Sequence, residues 1–118
     1  MNIEPLRELG LTEGEIKVYL ALTKLGETTS GPIVDESGVS VSKVYTILDR
    51  LAKKGLVSNI VKEKTKHVTP ADPSMLLLYL QEKEADLQKQ EEKLKKLIPM
   101  LKLEKNTAIT SETAQVYE

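Results

Sequence analysis

The sequence predicts a mainly α-helical protein with one small β-hairpin: a winged helix-turn-helix followed by a long C-terminal helix that serves as a dimerisation element. Three observations predict it. Three stretches of helical apolar spacing, each closed by a glycine (Gly26, Gly38, Gly55), fill the first half of the chain. A β-favouring stretch interrupted by the polar KEKT follows them. Beyond Asp72 a charged segment carries a leucine at every seventh position, namely Leu80, Leu87, Leu94 and Leu101.

The first helix is expected over residues 13–25. Thr12 and Glu15 have capping-box spacing, Ile16, Val18, Tyr19, Leu20, Leu22 and Leu25 supply an apolar face, and Gly26 ends it. TTSGPIVDESG reads as a short second helix, capped by Ser30 or Gly31, with Pro32 in the first turn, where its missing N–H costs nothing, and Gly38 as the stop. Ser40 then caps a third helix over about 41–54, with Gly55 beyond it. At 100° per residue, Val41, Val44, Ile47, Leu48, Leu51 and Ala52 gather on one side. Ser42, Lys43, Thr46, Asp49, Arg50, Lys53 and Lys54 gather on the other, with Tyr45 on the border. The short GVS connection makes the second and third helices a helix-turn-helix.

LVSNIV and KHVT flank KEKT as the strands of a hairpin over about 56–69, a wing whose turn lacks the usual Asn-Gly or Asp-Gly. The long helix is expected over 73–105, capped by Asp72 with Pro73 at its first position. Its second seam, Leu77, Glu84, Glu91 and Ile98, is apolar only at the ends, so a coiled coil of limited stability is expected. Pro99 is expected to bend or end this helix. Residues 106–118 read as a linker or tail, which leaves 1–72 as the winged domain.

With 118 residues, the chain makes one small domain with an appendage, and oligomerisation would add to a modest core. There is no cysteine, so disulfides and thiolate chemistry are excluded, and the single His67 builds no histidine-rich metal site. No hydrolytic triad, phosphate loop or G-x-S-x-G is present, which argues against an enzyme and against a cofactor. The N-terminus lacks the pattern of a signal peptide, and MLLLYL is too short to span a bilayer, so a cytoplasmic protein without membrane contact is expected. All four aromatic residues are tyrosines, too few for a single-strand stacking platform.

Net charge is −1, yet residues 40–67 hold seven basic and two acidic side chains, a local excess of +5 inside an otherwise acidic chain. The third helix therefore meets what a major-groove reader requires: short polar groups near its start and cations within reach. Ser40, Ser42, Lys43, Tyr45, Thr46 and Arg50 are the candidate readers. Lys62, Lys64, Lys66 and His67 in the wing suit phosphate or minor-groove contact, and amides near Ser30 are placed for a phosphate. Each residue also has a purely structural reading. Ser40 is a helix cap, Lys53 and Lys54 answer the helix dipole, Arg50 pairs with Thr46 or a carboxylate, Tyr45 is half-buried core, the wing lysines protect a strand edge, and His67 is incidental. Their joint placement on one topological unit favours duplex DNA as the partner.

LGLTEGEIKVYLAL, SGVSVSKVY and LDRLAKKGLV together resemble the N-terminal winged helix-turn-helix of the TrmB-type archaeal transcriptional regulators, over about residues 6–73, with the long helix also fitting. The resemblance implies a cytoplasmic, homodimeric, sequence-specific DNA-binding regulator in which Ser42 and Lys43 begin the recognition helix and Tyr45 follows. Larger members of that family continue into a sugar-sensing domain, which would begin about where AQVYE stands, so no small-molecule effector site is evident in this chain. The competing reading is a winged helix used for protein contact within a transcription or chromatin assembly. That use requires an apolar patch where this helix presents Ser, Lys, Thr and Arg.

Overall fold

The structure, a computed structural model, describes the backbone of residues 1–111 and the side chains of residues 1–106. Its elements in chain order are α1 (Glu4–Glu8), α2 (Glu13–Leu25), α3 (Ser30–Ser37), α4 (Val41–Lys53), β1 (Val57–Lys62), β2 (Thr65–Pro70) and α5 (Met75–Ser111). The chain divides into two compact units, Met1–Leu80 and the residues from Gln81 onward.

In the first unit, α2 begins as its sequence demands. The Glu15 amide donates to Thr12 Oγ1 at 3.1 Å, and the Thr12 amide donates to Glu15 Oε1 at 2.8 Å, completing the capping box. Ile16, Val18, Tyr19 and Leu22 of α2 join Ile33 of α3, Val44, Ile47, Leu48 and Leu51 of α4, Leu56 just before β1, and Val57 and Val68 of the hairpin in one buried cluster. Fully burying each such side chain is worth about 1.5–3 kcal/mol. Gly14 permits the approach of α2 to α4, because a Cβ there would stand 2.9 Å from Ile47 Cδ1.

The helix-turn-helix forms, with corrections at its joints. Thr29 rather than Ser30 or Gly31 occupies the N-cap of α3, and it makes no side-chain capping bond. Gly38 closes α3 at φ +75°, a left-handed conformation that costs a side-chain-bearing residue more than glycine. Ser40 holds the N-cap position of α4, but its hydroxyl lies 3.3 Å from Ser42 Oγ instead of capping an amide. Val39 and Val44, at the positions of a hydrophobic staple, set the entry angle from inside the core. Val41 does not share the buried face: it is 55% exposed, being one turn too early to reach the core.

Lys54 also leaves its expected face. Its ammonium turns inward and donates to Glu15 Oε2 at 2.6 Å, where Glu15 is only 1% exposed. It also sits 6.0 Å from the centre of the Tyr79 ring. The start of α2 is thereby tied to the end of α4 through a buried charge pair.

The hairpin is antiparallel, with Val57 opposite Pro70 and Lys62 opposite Thr65. Thr28 adds an isolated bridge to Val68, which extends the hairpin by one residue from the α2–α3 connection. The sequence reading missed this bridge and also α1, a five-residue helix too short to show a period.

The long helix starts two residues later than expected. Asp72 Oδ1 accepts from the Ser74 amide at 2.8 Å and the Ser74 hydroxyl at 2.6 Å, bonds that hold the Asp72 carboxyl below its ordinary pKa. The first helical residue is Met75. Pro99 does not end α5, and the helix continues to Ser111, past the expected limit at Lys105. Proline removes one bond and crowds the preceding turn, at a cost of about 3 kcal/mol. Strong helix formers such as Leu, Lys and Glu on both sides offset that cost. Of the expected tail, 106–111 is helical, while 112–118 lies outside the described residues.

Two outcomes are expected for the buried pair. Lys54→Met strands a buried carboxylate and should lower unfolding stability in urea by about 2–3 kcal/mol. Burial pushes the Glu15 carboxyl up, but the hydrogen bonds from Lys54 and the Thr12 amide outweigh it and leave its pKa lowered from 4.5. A folded pKa below the unfolded one stabilises above the unfolded value, and that contribution fades as pH falls through the folded value. Stability measured below about pH 4.5 should therefore fall less steeply in Glu15→Gln than in the unaltered chain. Equal slopes would show that Glu15 adds nothing to acid sensitivity.

Candidate nucleic-acid interface

Because α4 buries Val44, Ile47, Leu48 and Leu51, its opposite side must face water. Ser42, Lys43, Thr46 and Arg50 are all exposed there. Lys43 and Arg50 have no ion-pair partner among the described residues, whereas Lys53 pairs with Asp49 at 3.3 Å. Arg50 thus pairs with neither Thr46 nor a carboxylate among the described residues, the two partners its structural reading offered. Tyr45 is 51% exposed, and its hydroxyl lies 3.2 Å from Ser30 Oγ, a bond that links the start of α3 to the middle of the first two turns of α4.

Ser30, Tyr45, Lys64 and Lys66 come together around a cleft of about 250 Å³ between α3, α4 and the hairpin, with Thr29 and Thr65 beside them. Neither Lys64 nor Lys66 has an ion-pair partner among the described residues. On the other side of α4, Ser40 and Lys43 line a second cleft of about 390 Å³ together with Lys17 and Gly38. Lys17 was not among the sequence-derived candidates. It is an exposed cation on α2, and only the tertiary packing of α2 on α4 carries it to the start of α4. Lys62 is set apart from both clefts, since its ammonium donates to Glu27 Oε2 at 2.5 Å. His67 lies on the same side, with Nδ1 3.7 Å from that oxygen.

The wing turn solves its problem without glycine. Glu63 and Lys64 have φ values of 51° and 65°, both left-handed, in a two-residue connection. This is the dihedral pattern of a type I′ turn, which suits the twist of a hairpin even though the residues are unfavourable for it.

Among the described residues no group of His, Asp and Glu side chains could hold a metal ion, and no helix is long and apolar enough to cross a membrane. A buried helix-turn-helix, an exposed polar and basic α4 face, and a hairpin bearing free lysines define the winged helix-turn-helix class. The family profile described as sugar-specific transcriptional regulator TrmB matches residues 6–74, and the chain belongs to that family. It is a family of transcriptional regulators, not of enzymes. The HTH-type sugar sensing transcriptional regulator TrmBL1 of Pyrococcus furiosus is 35% identical over 94 residues, which is 80% of this chain and 26% of that protein. This chain therefore spans about a quarter of the curated relative's length. Among solved structures, TrmBL2, an archaeal chromatin protein that shows a novel mode of DNA binding, matches with a TM-score of 0.82 and 25% identity over 98% of this chain and 46% of that one. A MarR-family regulator from Silicibacter pomeroyi has the same fold, with a TM-score of 0.55 and 20% identity over 84% of this chain and 76% of the other.

Replacing Glu63 and Lys64 together by Asn and Gly should relieve the left-handed strain and raise stability by about 0.5–1 kcal/mol. Thermal unfolding should shift upward by a few degrees for a domain of this size, on the order of 4–8 °C per kcal/mol. An unchanged or lower midpoint would show that the rest of the wing already compensates for the turn.

Proposed function

We propose that this chain binds double-stranded DNA in a sequence-specific manner as a homodimer and so acts in transcription regulation. In this reading, α4 enters the major groove with Ser42, Lys43, Thr46 and Arg50 toward base edges, and the wing meets the backbone or minor groove through Lys64 and Lys66. The observation that carries it is the meeting of a free cationic reading face with a cleft that gathers Ser30, Tyr45, Lys64 and Lys66 beside it. The names of relatives support it, since TrmBL1 is described as a transcriptional regulator and TrmBL2 as a DNA-binding chromatin protein. A module docking a protein through α4 would want apolar groups on that face. Of its exposed residues only Val41 and Tyr45 are large and apolar, and the Tyr45 hydroxyl is engaged by Ser30.

Self-association is assigned to α5. Leu80, Leu87, Leu94 and Leu101 are all exposed in the single chain, a recurring apolar row that is costly to leave in water. Two copies joined through it would present two reading helices to half-sites about one turn of DNA apart.

Lys43→Ala is expected to lower affinity for a selected site by about 1–3 kcal/mol and to relax preference at one base position. Lys64→Ala should instead weaken binding to selected and scrambled duplexes alike. Equal loss on both duplexes for Lys43→Ala would reassign Lys43 to a phosphate. No loss in either variant would remove the DNA reading of this face.

Leu87→Asp combined with Leu94→Asp should yield monomers in sedimentation and much weaker duplex binding, with the helicity of the winged unit retained. A persisting dimer would place the interface elsewhere.

A further inference from the structure

The three wing lysines are not equivalent. Opposed residues of an antiparallel pair share a sheet face, and neighbours along a strand alternate. The register sets Ile60 opposite His67 and Val61 opposite Lys66. Lys62 therefore shares a face with Ile60 and His67, while Lys66 shares the other with Val57 and Val68, which are buried in the core. Lys66 reaches the cleft beside Ser30 and Tyr45, and Lys62 is turned from it. On its own face Lys62 finds Glu27, whose Oε2 accepts from the Lys62 ammonium at 2.5 Å and stands 3.7 Å from His67 Nδ1. That hydrogen bond holds the Glu27 carboxyl below its ordinary pKa.

Glu27 is itself fixed. The next residue, Thr28, donates its amide to the Val68 carbonyl at 2.9 Å and accepts from the Val68 amide at 2.7 Å. The α2–α3 connection thus grips β2 through backbone bonds and the end of β1 through a carboxylate. An exposed ion pair alone is weak. Sheet alternation starts Lys62 on the face away from the cleft, and the Glu27 carboxylate holds its flexible ammonium there while tethering the wing's outer end.

We infer that Glu27 is a positioning residue for the wing: together with Thr28 it straps both strands to the α2–α3 connection, and it keeps Lys62 out of the set of cations that meet DNA. The second half rests on the proposed DNA binding; the first does not.

The test uses the full chain and a non-specific duplex, with affinity read over a series of salt concentrations. Lys64→Ala and Lys66→Ala should each shallow the salt slope by about one unit per winged domain, whereas Lys62→Ala should leave it unchanged. Glu27→Gln releases Lys62 and should steepen the slope, and adding Lys62→Ala to Glu27→Gln should return it to the starting value. In the chain without DNA, amide hydrogen exchange at Thr28 and Val68 should be several-fold faster in Glu27→Gln and in Lys62→Ala, with most protection kept in Glu27→Asp. A slope lowered as much by Lys62→Ala as by Lys64→Ala overturns the withdrawal of Lys62. Unchanged exchange in both variants overturns the positioning role. Absence of any salt-dependent duplex binding by the unaltered chain would sink the DNA reading, while the exchange result still decides the strap.

Discussion

Val44, Ile47, Leu48 and Leu51 are shut away from water against α2, α3 and β1, and α4 has no freedom to rotate while they stay there. At 3.6 residues per turn, burying this stripe commits Ser42, Lys43, Thr46 and Arg50 to the surface. A rotation of one residue position would expose several of these apolar side chains, each worth about 1.5–3 kcal/mol when buried. The Glu15–Lys54 pair acts at one end of the helix and the Val39–Val44 staple at the other. Orientation of the polar α4 face is thus a by-product of core packing, and the side chains proposed to read DNA need contribute nothing to stability.

Charge placement follows the same logic. The chain is slightly acidic as a whole, so a whole-molecule field would repel a polyanion. Locally, the acidic groups near the proposed interface are engaged by particular cations: Glu15 by Lys54, Glu27 by Lys62, Asp49 by Lys53. The lysines and arginine left over, Lys43, Arg50, Lys64 and Lys66, with Lys17 beside them, border α4 and the two clefts. Exposed pairs contribute little to stability; here they sort which cations remain available.

Much of this was legible in the sequence, and the exceptions have physical reasons. The capping box of α2, most of the apolar stripe of α4, the glycine stops and the hairpin flanks are local signals that the structure bears out. Some errors lie where a long-range contact competes with a local signal, and others at helix starts and at Pro99, where neighbouring local choices compete. Lys54 sits on the polar side by periodicity, but a buried Glu15, distant in sequence, draws it inward. Lys62 looks like any wing lysine until strand register and Glu27 place it on the far face. Ser40 has the right position for a cap, yet its hydroxyl is taken by Ser42. Lys17 carried no signal at all, because only packing brings α2 beside the start of α4. A sharper reading was available for Lys62: counting alternation from the buried Val57 separates it from Lys66.

The long helix stands apart energetically. Beyond Leu80 its described side chains are almost all exposed, so its leucine row gains nothing in the single chain, and the proposed pairing with a second copy would bury it. The central claim, however, concerns α4. Backbone amide shifts of the full chain, followed by NMR as duplex DNA is added, test it most directly. The largest changes are expected at Ser42, Lys43, Thr46 and Arg50 and at Lys64 and Lys66, with Lys62 and Glu27 little affected. Changes confined to α1 and the outer side of α2, with α4 silent, would contradict the account.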